Sequence, residues 1–561
     1  MDPRLKSINV RSYWGINNSS KSCNNLTSYR DNEVIYSVGS KLVIFDYVEL
    51  KSRIIPLHYF DIHTIHSITI SPDLKFLAVS IKLGSSLPSL QLDRKLCMIS
   101  IDMDSLATIP KKPYLFEYIV DGTEGENFYV SAMAYSYCSS ILAIGTSVPE
   151  VGMFLVERFS GTILHKLTTN QMILQIHFNP LDKDRICSTG QNNHFQFWRV
   201  TSKMAHHIPV ANLLRGTNTY TCHAWVADNR IVAGTKSGHL LLVEGGGILS
   251  AKKVAAFGVP DKDVRADCGI VDLLLRNDIV VCISSSNVVS LFELRKGPTP
   301  VGSMDVDYSF VKLAKLRFPT ADITGLRWVM ASTSSNYEVV ISTFNSLVSV
   351  DLKAGDYKMA AVENHAANSF QNSRGNGGRN SVLRNSISGT TSTSTAEGSE
   401  WIDQKLDRII LNFHSGNIHS LSMGTRNSAM VSASDDETIR VWDYSAPNRR
   451  CLLVDNFSDR KNVIPNSICV HPSGMLVAFG CEDDVREFHA TDSKFEMVRR
   501  LPTKVPFTGP GDVPFVNTMP VSVIRYSHGG HMLAAVTGRM AQIFHLYTLE
   551  FMSQEPAGAC D

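Results

Sequence analysis

The sequence has no paired cysteines, no long apolar run and no surplus of charge, and each absence removes a class of protein. Its eleven cysteines are scattered singly from Cys23 to Cys560, with no C-x-x-C pair and an odd total. A secreted disulfide framework or a zinc module needs clustered thiols, so these read as reduced and mostly buried. No stretch approaches the roughly 18 consecutive apolar residues of a bilayer-crossing helix. The opening MDPRLKSINVRSYWGINNSS lacks the apolar core of a signal peptide. The expectation is a cytoplasmic or cytoskeletal protein without membrane insertion. Asn25-Leu26-Thr27 matches a glycosylation sequon, and with no secretory signal it reads as a chance match. Lys and Arg total 54 against 53 for Asp and Glu, so no global field draws the chain to nucleic acid.

The usual chemical signatures are also missing. There is no G-x-x-x-x-G-K-[ST] loop to cradle phosphates, no H-E-x-x-H helix to hold zinc and no G-x-S-x-G elbow to present a nucleophile. No catalytic, metal or cofactor residues are nominated, and the chain is expected not to be an enzyme.

What is present is repetition. At 561 residues, 43% hydrophobic and 19% charged, the chain has ordinary globular composition and exceeds one ordinary domain. The clearest unit is HSGNIHSLSMGTRNSAMVSASDDETIRVWDY from His414. Ile418, Leu421 and Met423 supply apolar side chains to a first strand, Ala429 to Ala433 form a second, and Thr438 to Trp442 alternate as a third, around the polar turn Asp435-Asp436-Glu437. This unit resembles the WD-repeat signature. The resemblance implies a hydrogen-bonded chain through His414, Asp436, Ser432 and Trp442, each giving a partner to a group otherwise buried without one. The competing view, a His-Asp-Ser catalytic triad, fails because that network already uses all three groups.

Degenerate copies recur at the 40 to 50 residue spacing of four-stranded propeller blades, and ten are read in all. The fourth, from Ile173, keeps Ser188 and Trp198 but has Asn192 for the turn Asp, which predicts a weaker network. The fifth, from Cys222, loses the terminal Trp-Asp pair, and the sixth and seventh rest on alternation alone. The expected fold is therefore all-β: a WD-repeat β-propeller with one seven-bladed ring plus a partial or partner-completed second propeller. Residues 1–30 read as an N-terminal segment, 31–360 as the first propeller, 361–404 as a low-complexity flexible linker and 405–561 as three further blades. Three blades cannot close, so completion is expected from a partner, a second copy or residues beyond this chain. Ser381 and Ser386 in the linker match a basophilic phosphorylation pattern, against the plainer reading of a solvated segment.

Several other features have bland readings beside functional ones. Gly245-Gly246-Gly247 reads as a hairpin or inter-blade turn rather than a phosphate loop. His206-His207 reads as a polar inter-blade loop, and Glu482-Asp483-Asp484 as a well-solvated turn rather than a calcium site. Arg449-Arg450 and Arg499-Arg500 read as exposed loop pairs that could meet acidic tubulin tails.

Four phrases in shared order carry a narrower resemblance: HSITISPDLKFLAVS, CHAWVADNRIVAGTKSGHLLLVE, HPSGMLVAFG and YSHGGHMLAAVTGRMAQIFHLYTLE. With them the chain resembles, over roughly residues 30 to 550, the axonemal WD-repeat family called cilia- and flagella-associated protein fifty-seven. That family is associated with two N-terminal propellers, a following coiled coil and docking of inner dynein arms on doublet microtubules. The resemblance implies a non-catalytic scaffold in the axoneme of cilia or flagella, with tubulin doublets, inner-arm dynein subunits and other axonemal proteins as partners. No sustained heptad pattern matches the coiled coil here. The alternatives are a cytoplasmic WD-repeat adaptor, microtubule-associated or a ubiquitin-ligase substrate receptor, and a propeller enzyme using polar groups around its channel.

Overall fold

Alternation of β-branched and aromatic side chains with small or polar ones drives nearly every described segment into strands. The computed structural model describes residues 25–351 and 402–556 with interruptions, the longest at 84–94, 105–115, 120–127, 255–268, 297–307, 318–328 and 457–464. Residues 1–24, 352–401 and 557–561 lie outside the described set, and with them Ser381 and Ser386. The described residues form nine four-stranded sheets, one five-stranded sheet and one two-stranded hairpin. The ten larger sheets are numbered below as blades one to ten in chain order.

Within a blade, tight turns fix the antiparallel register. In blades two, three and ten the first turn opens with Ser71, Ser136 or Ser527, whose hydroxyl accepts the backbone N–H five residues on, at Phe76, Ile141 or Met532. Three residues after that serine the backbone turns left-handed, at Leu74, Ser139 and Gly530. Glycine is required at Gly530, because a Cβ there would sit 2.1 Å from His471 Nε2.

The chain divides into two compact units, Met1–Ile410 and Leu411–Asp561. In the first, the innermost strands are Leu26–Ser28, Ile62–Ile70, Val130–Tyr135, Ile173–Phe178, Tyr220–Ala227, Ile270–Arg276 and Val329–Ser332. Each lies against the next, and the seventh lies against the first, so seven blades close into a β-propeller ring. The core sits between blades. Leu42 and Ile44 of blade one pack with Ile68, Val79 and Ile99 of blade two, and Ala132, Ala143 and Met153 of blade three pack with Ile176, Phe178 and Trp198 of blade four. Polar stitches run between inner strands: Thr221 Oγ1 of blade five donates to the Ile270 carbonyl of blade six at 2.6 Å.

The second unit holds blades eight, nine and ten, with inner strands Ile418–Met423, Ser467–Val470 and Val521–Tyr526, and the hairpin Pro506–Thr508 with Pro514–Val516. Ser420 and Ser422 of blade eight accept from the backbone N–H groups of Ile468 and Val470 of blade nine, at 2.9 and 3.0 Å.

Three boundaries differ from the sequence reading, each because a strand is recruited from outside its repeat. Leu26–Ser28, inside the expected N-terminal segment, is the inner strand of blade one. Ile402–Lys405, at the edge of the expected linker, adds to blade six as a fifth, parallel strand. Ile409–Asn412 is the fourth strand of blade seven. Asn25 is buried, which leaves no room for a glycan on the folded chain. Among the described residues six cysteines are buried free thiols and Cys138 is an exposed one.

Candidate functional site

Blade eight joins His414, just ahead of its inner strand, to the hairpin of Ala429–Ser434 and Thr438–Asp443. Trp442 Nε1 donates to Ser432 Oγ at 2.8 Å, and Ser432 Oγ lies 2.7 Å from His414 Nε2. His414 Nδ1 lies 3.1 Å from Asp436 Oδ2, and Thr438 Oγ1 donates to Asp436 Oδ1 at 2.7 Å. Donor accounting assigns the Nδ1–H tautomer: the ring donates to the carboxylate and accepts from the serine, which accepts from the indole. Burial holds the His414 imidazole below the ordinary histidine range, opposed by Asp436, so a neutral ring is the resting form. Ser432 is 1% exposed and both roles of its hydroxyl are taken. Such a serine ties strands together rather than attacking a substrate. Arg440, also 1% exposed, lies 4.0 Å from the same Asp436 Oδ2.

Blade four has the same end and a different middle. Trp198 Nε1 donates to Ser188 Oγ at 2.7 Å, but the imidazole 2.9 Å from that hydroxyl belongs to His194. Sequence reading placed Asn192 in the network, and the structure does not. Asn192 and Asn193 have φ of 47° and 65° and form the tight turn itself, which Asn tolerates better than most residues. The Asn192 side chain leaves the core and donates to Gln171 Oε1 at 2.8 Å. His194 stands six residues after the serine, where blade eight has Thr438. That offset was the available signal, and without strand register it reads as an ordinary turn histidine. With no carboxylate beside it, burial pushes the His194 imidazole down to about 4.

The remaining blades show what replaces the chain. Counted by strand register, the Ser432 and Trp442 positions hold Tyr36 and Phe45 in blade one, Val79 and Ile101 in blade two, Ile144 and Val156 in blade three, and Ala233 and Val243 in blade five. They hold Cys282 and Phe292 in blade six, Phe479 and Phe488 in blade nine, and Ala535 and Phe544 in blade ten. In each of these the indole and its acceptor are replaced together. Losing one partner strands a buried polar group at about 1–3 kcal/mol, whereas replacing both with apolar groups is close to neutral.

Other singled-out residues land elsewhere than expected. Asp484 is fully buried rather than solvated, and both Arg486 and Arg500 bond its carboxylate. Arg499 and Arg500 lie in the strand Phe495–Pro502, not in a loop, and Arg499 pairs with buried Glu487 at 2.5 Å. Tyr526 of blade ten donates to the same Glu487 at 2.6 Å, and burial together with that carboxylate raises its phenol well above the ordinary range. These arginines pair with internal carboxylates across strands, Arg499 half-buried and Arg500 exposed, so the loop placement is corrected while Arg500 keeps its exposure. A buried charge needs such partners, and cross-strand pairing is invisible until register is known. His206 and His207 sit on the exposed outer strand Ala205–Pro209 of blade four rather than in a loop. Gly245, with φ of 55°, turns the chain between His239–Glu244 and Gly247–Lys253. Arg449 and Arg450 lie outside the described residues.

No protein-family model matches the sequence. Over 440 residues, 75% of this chain and 31% of its counterpart, the chain is 20% identical to cilia- and flagella-associated protein 57 of Mus musculus. It is 24% identical over 151 residues to cilia- and flagella-associated protein 57 A of Tetrahymena thermophila, covering 26% of this chain and 10% of that protein. The chain thus spans less than a third of the length of these curated relatives. Among solved structures it is similar to the beta-propeller domain of Myceliophteria thermophila Cps50 (Swd1), with a TM-score of 0.33 and 9% identity over 73% of this chain and 92% of that one. The structure of U3-55K is similar with a TM-score of 0.39 and 13% identity, covering 58% and 90% respectively.

Proposed function

We propose that this chain is a non-catalytic scaffold of the ciliary or flagellar axoneme, holding doublet-microtubule-associated complexes, inner dynein arms among them, at fixed spacing. The observation that carries this reading is the similarity to cilia- and flagella-associated protein 57 along three-quarters of the chain. The structure supports it from the physical side. A closed ring of sheets with its core between blades is rigid, while the turns at the two ends of each blade are free to vary and to recognise partners. The two His-Ser-Trp chains, which resemble catalytic chemistry, are consumed in holding hairpins together.

Crosslinking mass spectrometry on intact cilia or flagella that carry the protein tests the proposal. Crosslinks to doublet proteins or inner-arm dynein subunits are expected. Crosslinks confined to soluble complexes, with tagged protein diffuse in the cytoplasm and absent from salt-washed axonemes, would sink it in favour of a cytoplasmic adaptor.

A further inference from the structure

One backbone hydrogen bond marks an equivalent position in seven blades: an N–H at the end of the third strand donates to the carbonyl just before the second. Tyr47, Met103, Val200, Leu294 and Leu546 hold that position in blades one, two, four, six and ten, and all five are buried. Blade nine has Ala490 there. In blade three the residue is Arg158, 9% exposed. A cation therefore sits where the other six blades put an apolar side chain.

The surroundings of Arg158 hold its guanidinium in place without using up its donors. Two phenyl rings lie against it, with Cζ 3.4 Å from the Phe76 centroid and 3.8 Å from that of Phe159. Nε donates to the Ser139 carbonyl at 2.8 Å. That bond spends one of five N–H donors, and among the described residues no hydrogen bond or ion pair reaches the other four, on the Nη atoms. Asp73 of blade two feels the positive charge, yet its Oδ1 takes the Ser71 hydroxyl and the Lys75 backbone N–H. For stability alone, a nearly buried cation with idle donors is a worse choice than an apolar side chain. For gripping a planar anion from outside, it is what is required.

The surface around this arginine is apolar. Phe159 beside it and Tyr137, in the turn to which it bonds, are 72% and 62% exposed, and Leu181 in the corresponding turn of blade four is 68% exposed. At the opposite end of the ring, the turns expose one large apolar side chain among the described residues, Val148. Aromatic side chains around an arginine are the composition found at the centres of protein interfaces.

We propose that Arg158 anchors a docking site for a partner segment in which an aspartate or glutamate is flanked by apolar side chains. The carboxylate takes the free Nη donors side by side, and its apolar neighbours cover Phe159 and Tyr137. Charge selects the anion: one guanidinium faces it, with the Asp73 carboxylate nearby, so a carboxylate is matched and a phosphate dianion is not. The inference goes beyond the axonemal reading and does not depend on it, since a cytoplasmic adaptor would use the same site.

The test begins with peptide arrays probed with the purified full chain. Each peptide carries a central glutamate flanked by a pairing of leucine, isoleucine, phenylalanine and tyrosine; matched arrays carry glutamine or phosphoserine at the centre. The best glutamate peptide, taken to fluorescence polarisation, should lose about tenfold in affinity when glutamine replaces its glutamate, and as much against Arg158→Lys, which keeps the charge but not the fork. Because Arg158 packs in a seam, the exposed rings give the cleaner variants: Phe159→Ala and Tyr137→Ala should leave the thermal transition unchanged and each weaken binding about fivefold. Alkylation of Cys138, an exposed thiol next to Tyr137, followed by peptide mass spectrometry, should slow when the peptide is saturating. Absence of binding by every glutamate peptide overturns the proposal. So does equal binding of the glutamine peptides, tighter binding of phosphoserine peptides or of plain hexaglutamate, or affinity unchanged by Arg158→Lys and Phe159→Ala.

Discussion

Blades four and eight solve the same problem with different histidines. Both bury an indole N–H against a serine hydroxyl, and both need a neutral imidazole on the far side of that hydroxyl. Blade eight brings its imidazole from the preceding loop and anchors it with Asp436, whereas blade four brings it from the turn and leaves it without a carboxylate. What is preserved is the accounting of donors and acceptors, not the sequence positions that provide them.

The largest effect expected from breaking this pattern is at the shared serine. Ser432→Ala leaves both the Trp442 N–H and His414 Nε2 buried without a partner and should cost about 3 kcal/mol, as should Ser188→Ala in blade four. Chemical denaturation followed by tryptophan fluorescence measures both. Adding Trp442→Phe to Ser432→Ala recreates the Ala535–Phe544 pair of blade ten and should recover part of the loss. A double variant as unstable as the sum of the singles would show that the hydrogen bond is not what the apolar pairs replace.

Acid separates the two histidines. An imidazole held below its unfolded value near 6.5 stabilises the fold in its neutral form, so its contribution is full above pH 6.5 and is lost as the pH falls. For His194, held near 4, the loss between pH 6.5 and pH 4 should reach about 3 kcal/mol. His414 shifts in the same direction, but Asp436 favours its charged form, so blade eight should resist acid better. Hydrogen exchange of the Arg185–Gly190 and Ala429–Ser434 strands across this pH range reports each blade separately, and His194→Gln should flatten the dependence in blade four. Equal loss of protection in the two blades would contradict the role given to Asp436.

The smallest effect is at the turn. Asp436→Asn should cost about 1 kcal/mol through its weakened bond to His414. Asn192→Asp, at the aligned position of blade four, should stay within about 0.5 kcal/mol, because that side chain lies at the surface. Thermal shift of the two variants side by side tests whether alignment or geometry is the better guide.

Alternation and turn chemistry made the sheets legible, because they act within a few residues of one another. The constellation of blade eight was legible for the same reason: a loop, a turn and two strands contain all of it. His194 was not, since its role depends on which strand positions face each other. The Asp484–Arg500 and Glu487–Arg499 pairs were hidden similarly, because buried carboxylates find their arginines across strands, at positions that sequence spacing does not bring together. Alternation also marks Leu421 and Met423 as strand residues, whereas their exposure shows only in the structure.

The fourth strand of blade seven has a consequence for the order of synthesis. Strands Val329–Ser332, Glu338–Ser342 and Ser346–Asp351 emerge in succession, but the strand that completes their sheet is Ile409–Asn412. While the ribosome works through the intervening stretch, the nascent ring carries an unpaired edge at its last blade, the kind of template on which other chains add strands. A transcript ending between these points would encode every inner strand of the ring and still release a protein with that edge open. The last sheet of the ring is therefore complete only once translation has passed residue 412.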